Sequence, residues 1–177
     1  MVDLRSQIAR SAYINAQILD IAEQLPIFRE CVKTVLRKQG CEPKTIAHYT
    51  LKGAAAYWVS LLYCLIVVPK EVFGLDENDC VYQAPELRQG LGLFEITKKT
   101  PKFDTHPTFY LIYHLRNSLS HANFSIWQET DAFEFRDRPR LGAQDNFCAT
   151  ITSQNLGRFL SDVGRLLANR EGAASDS

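Results

Sequence analysis

THPTFYLIYHLRNSLSHA, residues 105–122, is the stretch from which the fold is read. Proline at 107 suits the first helical position, because its missing N–H has no partner there in any case. On a wheel of about 100° per residue, Thr108, Leu111, Ile112, Leu115, Ser118, Leu119 and Ala122 share one largely apolar arc. That arc predicts the side facing a core. The other arc carries Phe109, Tyr110, Tyr113, His114, Arg116, Asn117, Ser120 and His121. A merely solvated face would carry Lys and Glu, whereas aromatics mixed with Arg suit an interface or a cleft. The helix is therefore two-sided.

Downstream, FSIWQE (124–129), AFEFR (132–136) and NFCATI (146–151) alternate or are rich in β-formers, with turn residues between them. They predict a small antiparallel meander. Ser153 is placed to cap a last helix with Leu156, Phe159, Leu160, Val163, Leu166 and Leu167 on one face. EGAASDS (171–177) reads as a disordered tail after a single domain over 1–170.

Upstream, residues 70–104 read as irregular chain with one short helix from Pro85 to Gln89, and Gly90-Leu91-Gly92 as a turn. Thr45 is the expected cap of a helix running to Val68. The part GAAAYWVSLLYCLIVVP (53–69) has no charge. Seventeen residues of helix span only about 25 Å, short of a membrane crossing, so a buried central helix is predicted. In the first 36 residues Ile14, Ile18, Ile21, Leu25, Phe28, Val32 and Val35 recur at steps of four and three. Their phase is kept across Pro26, which predicts one kinked helix, stopped at Gly40. The fold class is thus mainly α, a bundle of four to five helices with the meander before the C-terminal helix.

The composition fits an ordinary folded domain of 177 residues, 46% hydrophobic and 23% charged. This excludes collagen-like, low-complexity and disordered classes. Twenty basic residues balance twenty acidic ones, so bulk electrostatics cannot hold nucleic acid and a local patch is required. Candidates are Arg136, Arg138 and Arg140, and Lys98, Lys99 and Lys102, each equally readable as solvated loop. Cysteines 31, 41, 64, 80 and 148 form no C-x-x-C pair, and the histidines at 48, 106, 114 and 121 have no zinc-ligand spacing to them. No metal or cofactor is expected. MVDLRSQIAR lacks the pattern of a signal peptide, so a reduced, cytoplasmic protein is expected.

Arg116, Asn117 and His121 together suit phosphoryl transfer on RNA. An imidazole can take the proton of a 2′-hydroxyl and return one to the leaving group. A guanidinium can grip the phosphate through paired hydrogen bonds. Arg116-Asn117-Ser118-Leu119-Ser120-His121, read as R-N-x-x-x-H, resembles the signature of the HEPN superfamily (higher eukaryotes and prokaryotes nucleotide-binding). The continuation Ala122-Asn123-Phe124 resembles the group named after the plasmid-encoded protein pEK499 p136, in which the motif helix runs into short strands and a last helix.

The resemblance implies a helical bundle that dimerises along the motif helix and cuts RNA without metal at a composite cleft, leaving 2′,3′-cyclic phosphate ends. It implies Arg116 on the scissile phosphate, Asn117 positioning it and His121 as acid and base. It further implies a toxin or antiviral effector, with a cognate antitoxin as a possible partner; that no membrane is involved is expected from the shortness of the stretch 53–69. The alternative it carries is a non-catalytic HEPN module binding RNA, nucleotide or protein. Tyr110, Tyr113, His114 and Ser120 match no motif, and the wheel alone assigns them to the interface or the cleft wall.

Overall fold

The computed structural model describes residues 6–48, 55–68, 76–127, 129–140 and 142–174. The helices are α1 (Ser6–Gln24), α2 (Pro26–Lys38), α3 (Pro43–His48), α4 (Ala55–Leu62), α5 (Cys80–Gln83), α6 (Pro85–Gly90), α7 (Pro107–Ser120) and α8 (Ser153–Ala174). The strands are β1 (Glu95–Lys98), β2 (Phe124–Trp127), β3 (Ala132–Asp137) and β4 (Phe147–Thr152), in the antiparallel order β1-β4-β3-β2. The architecture is mainly α with a small sheet before the C-terminal helix, as the alternation of patterns predicts.

One face of the sheet builds the core. In the β3–β4 register Phe133 lies opposite Ile151, Phe135 opposite Ala149 and Asp137 opposite Phe147. All six are buried, and α7 packs on this face. Trp58 of α4 meets Phe133 edge-on at 5.6 Å. A π-helical turn, Tyr63–Val67, continues α4 and buries Leu65, Ile66 and Val67. The described part of the uncharged stretch 53–69 gives Trp58, Leu62, Leu65, Ile66 and Val67 to the core but leaves Ser60 and Tyr63 exposed, so it is covered on one side rather than all round. Among the described residues no helix is long and apolar enough to cross a membrane.

Several local expectations are corrected. The first helix does not run kinked through Pro26. Leu25 adopts extended backbone (φ −80°, ψ 124°) and α2 begins afresh with Pro26 in its first turn, because a residue before proline is crowded out of the helical region. Thr45 does not open a helix but lies inside α3, which begins at Pro43, and residues 49–54 fall outside the described set. Asp76 and Asp79 supply the turn and cap of α5, accepting from the N–H of Asn78 at 2.8 Å and of Val81 at 3.0 Å.

Strand β1 was not predicted from its own residues. It is an edge strand with a bulge between Ile96 and Lys98, and its pairing is imposed by β4. Helix α8 starts at Ser153, but Thr152 is the capping residue, its Oγ1 accepting from the N–H of Asn155 at 3.3 Å. The Ser153 hydroxyl instead donates to Asp131. The helix continues to Ala174, four residues into the stretch read as tail.

Candidate active site

Helix α7 has the two-sided character its sequence dictates. Thr108, Leu111, Ile112, Leu115, Ser118 and Leu119 are buried on the core side. Ala122 leaves that side because the helix ends before it. His114 departs from its expected place at an interface or cleft wall: it is 2% exposed. Its ring stacks on Phe147 at 4.5 Å, nearly parallel, and its Nδ1 lies 2.7 Å from Asp137 Oδ2.

Asp137 is the residue that sequence reasoning missed, and it organises the site. The same Oδ2 accepts from Asn117 Nδ2 at 3.0 Å. Asn117 in turn presents its Oδ1 to Arg116, whose Nη1 donates at 3.0 Å. A chain of hydrogen bonds thus runs from a buried carboxylate on β3 through the Asn117 amide to the Arg116 guanidinium. Burial pushes the Asp137 carboxyl up, but the hydrogen bonds from His114 and Asn117, with the attraction of His114, outweigh it and hold the pKa below the usual carboxylate range. The available signal was period two: 133 and 135 are inward, so 137 is inward too, one residue past the predicted strand end.

His121 sits where α7 stops. The N–H of Ala122 bonds to Leu119 O at 3.1 Å and that of Asn123 to Ser118 O at 2.7 Å. This is the Schellman closure, with His121 as the capping residue and Ala122 in the left-handed region at φ 51°. The arrangement leaves Ser120 and His121 exposed at the helix end. Arg116 and Asn117 are half-buried on the preceding turn.

The aromatic residues of the same face form a cluster. Tyr110 meets Phe109 edge-on at 5.1 Å and Tyr113 at 6.1 Å. The Tyr110 hydroxyl reaches Glu77 Oε2 at 3.4 Å. Tyr113 is 37% exposed, an outward ring on the motif helix.

Arg136 and Arg138 line one cavity of about 480 Å³ together with Lys98, but both arginines there are paired with carboxylates. Arg136 pairs with Glu134 at 2.8 Å, and Arg138 with Asp145 at 3.3 Å. Glu134 first by hydrogen bond and then by charge holds the Arg136 pKa above its ordinary value. Arg140 is exposed. Among the lysines, Lys99 bridges Asp104, while Lys98 and Lys102 are exposed.

Cavities of about 710, 480 and 310 Å³ lie elsewhere, and none of these three is lined by Arg116, Asn117 or His121. Among the described residues no three or more His, Cys, Asp and Glu side chains converge on a metal-sized site. What the arrangement offers is a guanidinium fixed from behind, an amide locked in orientation and an exposed imidazole one turn away.

A family model described as HEPN pEK499 p136 matches residues 48–173, which contain every motif residue. No curated protein and no solved structure matches the chain.

Proposed function

The chain belongs to the HEPN pEK499 p136 family, and from that premise we propose that it is a metal-independent endoribonuclease whose cleft forms between two copies meeting along α7. The observation that carries the reading is the anchoring of Asn117 and Arg116 to buried Asp137, with His121 exposed at the end of the same helix. Anchoring matters because a phosphate-binding group stabilises developing charge only if it is already oriented.

In the proposed step His121 takes the proton of a ribose 2′-hydroxyl, and the 2′-oxygen attacks the adjacent phosphorus. The bond from phosphorus to the 5′-oxygen breaks, and that oxygen leaves with a proton supplied by an imidazole. The products are a 2′,3′-cyclic phosphate and a 5′-hydroxyl. Arg116 binds the non-bridging oxygens, and Asn117 holds the phosphate in register. Tyr113 and Ser120 lie on the surface that the second copy covers. In this reading the protein acts in the cytoplasm as a toxin or antiviral effector, with an antitoxin as its natural restraint.

The pairing of Arg136 and Arg138 with carboxylates favours a second reading, in which the same face binds a nucleotide or a protein and cuts nothing. The test is cleavage of a mixed RNA pool in excess EDTA, beside Arg116→Ala and His121→Ala. Cyclic-phosphate ends that vanish in both variants are expected. An inert wild type, or variants that cut equally well, would exclude the ribonuclease and leave the binding module.

A further inference from the structure

Of the large apolar side chains exposed among the described residues, most lie on α1, on α2 and at the Leu25 junction between them. These helices precede the residues matched by the family model. Ile14 is 42% exposed, Ile18 56%, Ile21 66% and Leu25 49%. Helix α1 docks on α8 with its other side. Ala12 and Tyr13 pack against the core there, and Tyr13 crosses α8 at Gly164. Asp20 and Glu23 also belong to that side, since their charges act on Tyr57 of the same domain.

We infer that the Ile14–Leu25 face of α1 is a self-association surface that takes a second copy of this chain. The four residues follow steps of four, three and four, the spacing of a two-helix seam. The spacing is also its own reverse. A two-fold axis between Leu19 and Asp20 sets Ile14 against the partner's Leu25 and Ile18 against the partner's Ile21. The same patch thus serves both copies, as an isologous contact requires.

Charge agrees with this occupant. The seam is flanked by Asn15, Gln17, Ala22 and Gln24, with no acid or base among them, so two copies approach without repulsion. The amides of Gln17 and Gln24 can bond across it. A lipid surface would want Lys and Arg along the flanks, and Arg10 is the one basic residue of α1. A stable interface buries about 800 Å² per partner, more than four aliphatic side chains supply. Ile27 and Val35 on α2 are exposed as well. The contact is therefore a weak, concentration-dependent one, separate from the pairing proposed along α7.

The test is sedimentation equilibrium of the full chain from about 1 to about 100 µM. It compares the wild type with Ile18→Glu/Ile21→Glu, each with and without Tyr113→Glu, which opens the α7 contact. Both isoleucines are more than half exposed, so the variant keeps its fold. The expected result is a concentration-dependent dimer in Tyr113→Glu alone, weakened about tenfold or more once Ile18 and Ile21 carry charge. Tyr113→Glu that stays at 20.1 kDa throughout, or association unchanged by the two glutamates, overturns the proposal. So does association restored only by a different protein. RNA cleavage is scored separately, so failure here leaves the ribonuclease reading standing.

Discussion

A single carboxylate carries more of the candidate site than the motif residues do themselves. Asp137 is 4% exposed and serves His114 and Asn117 with one oxygen. Asp137→Ala leaves the buried His114 and the half-buried Asn117 without their partner and is expected to cost about 2–4 kcal/mol, read as a drop in chemical-denaturation midpoint. In Asp137→Asn the amide oxygen can still accept from Asn117, so most of the stability returns while the charge is gone. The folded pKa of Asp137 lies below its unfolded value, so its stabilisation is complete above about pH 4 and is lost as pH falls through the lower folded value. Thermal unfolding from pH 6 down to pH 2 should therefore show a shallower acid limb in Asp137→Asn than in the wild type.

Ala122 is the second residue of consequence. A left-handed alanine costs about 1–2 kcal/mol against the helical basin, and glycine sits there without strain. Ala122→Gly is expected to raise Tm by a few degrees, about 2–4 °C per kcal/mol in a chain this size. A lowered Tm would mean that the Ala122 methyl makes contacts outweighing its strain. Arg116, Asn117 and His121 were legible because they sit in one hexapeptide. Asp137 was not, because its partners lie about twenty residues back in the chain and only the β2–β3 hairpin brings it beneath them.

At the scale of elements, periodicity identifies α7, α8 and strands β2 to β4 but not where the first helices break or what their faces meet. The Ile14–Leu25 stripe is real, yet α1 turns it outward and docks through Ala12, Tyr13 and Ala16. The reason is visible in α8. A Cβ on Gly164 would lie 2.5 Å from Tyr13 Cδ2 and 3.1 Å from its Cβ. Only the absence of a side chain lets the helices close this far, a detail that a hydrophobic pattern does not record.

Gly164→Ala should therefore force α1 off its seat, because the atoms in the way are close to the Tyr13 backbone and cannot swing clear. An overpacking penalty of about 1–3 kcal/mol is expected. Hydrogen exchange should accelerate across α1 while α7 and β3 keep their protection. Equal loss of protection in α7 would show that α1 is an integral part of the core. The break at Leu25 follows the same logic: Pro26 is an obstacle to the helix, but it is the residue before it, with its own steric limits, that ends α1.

The whole molecule raises the question of how a neutral protein with paired arginines would hold a polyanion. In one chain the motif face lines none of the described cavities, and the Arg116 guanidinium is already tied to Asn117. In the proposed reading, affinity and catalysis come from bringing two such faces together, which doubles the local guanidinium and imidazole without adding net charge. This has a consequence that a self-contained site lacks. Arg116→Ala and His121→Ala should each be inactive alone, since each homodimer lacks one functional group entirely. Mixed and allowed to exchange subunits, they form a heterodimer with one intact Arg116 and one intact His121 facing the same cleft. Cyclic-phosphate production should then reappear, at most at half the wild-type level if half the dimers are mixed. If the mixture stays inactive while mass spectrometry shows that mixed dimers have formed, Arg116 and His121 must act within one chain. The cleft would then have to be sought on the surface of α7 itself.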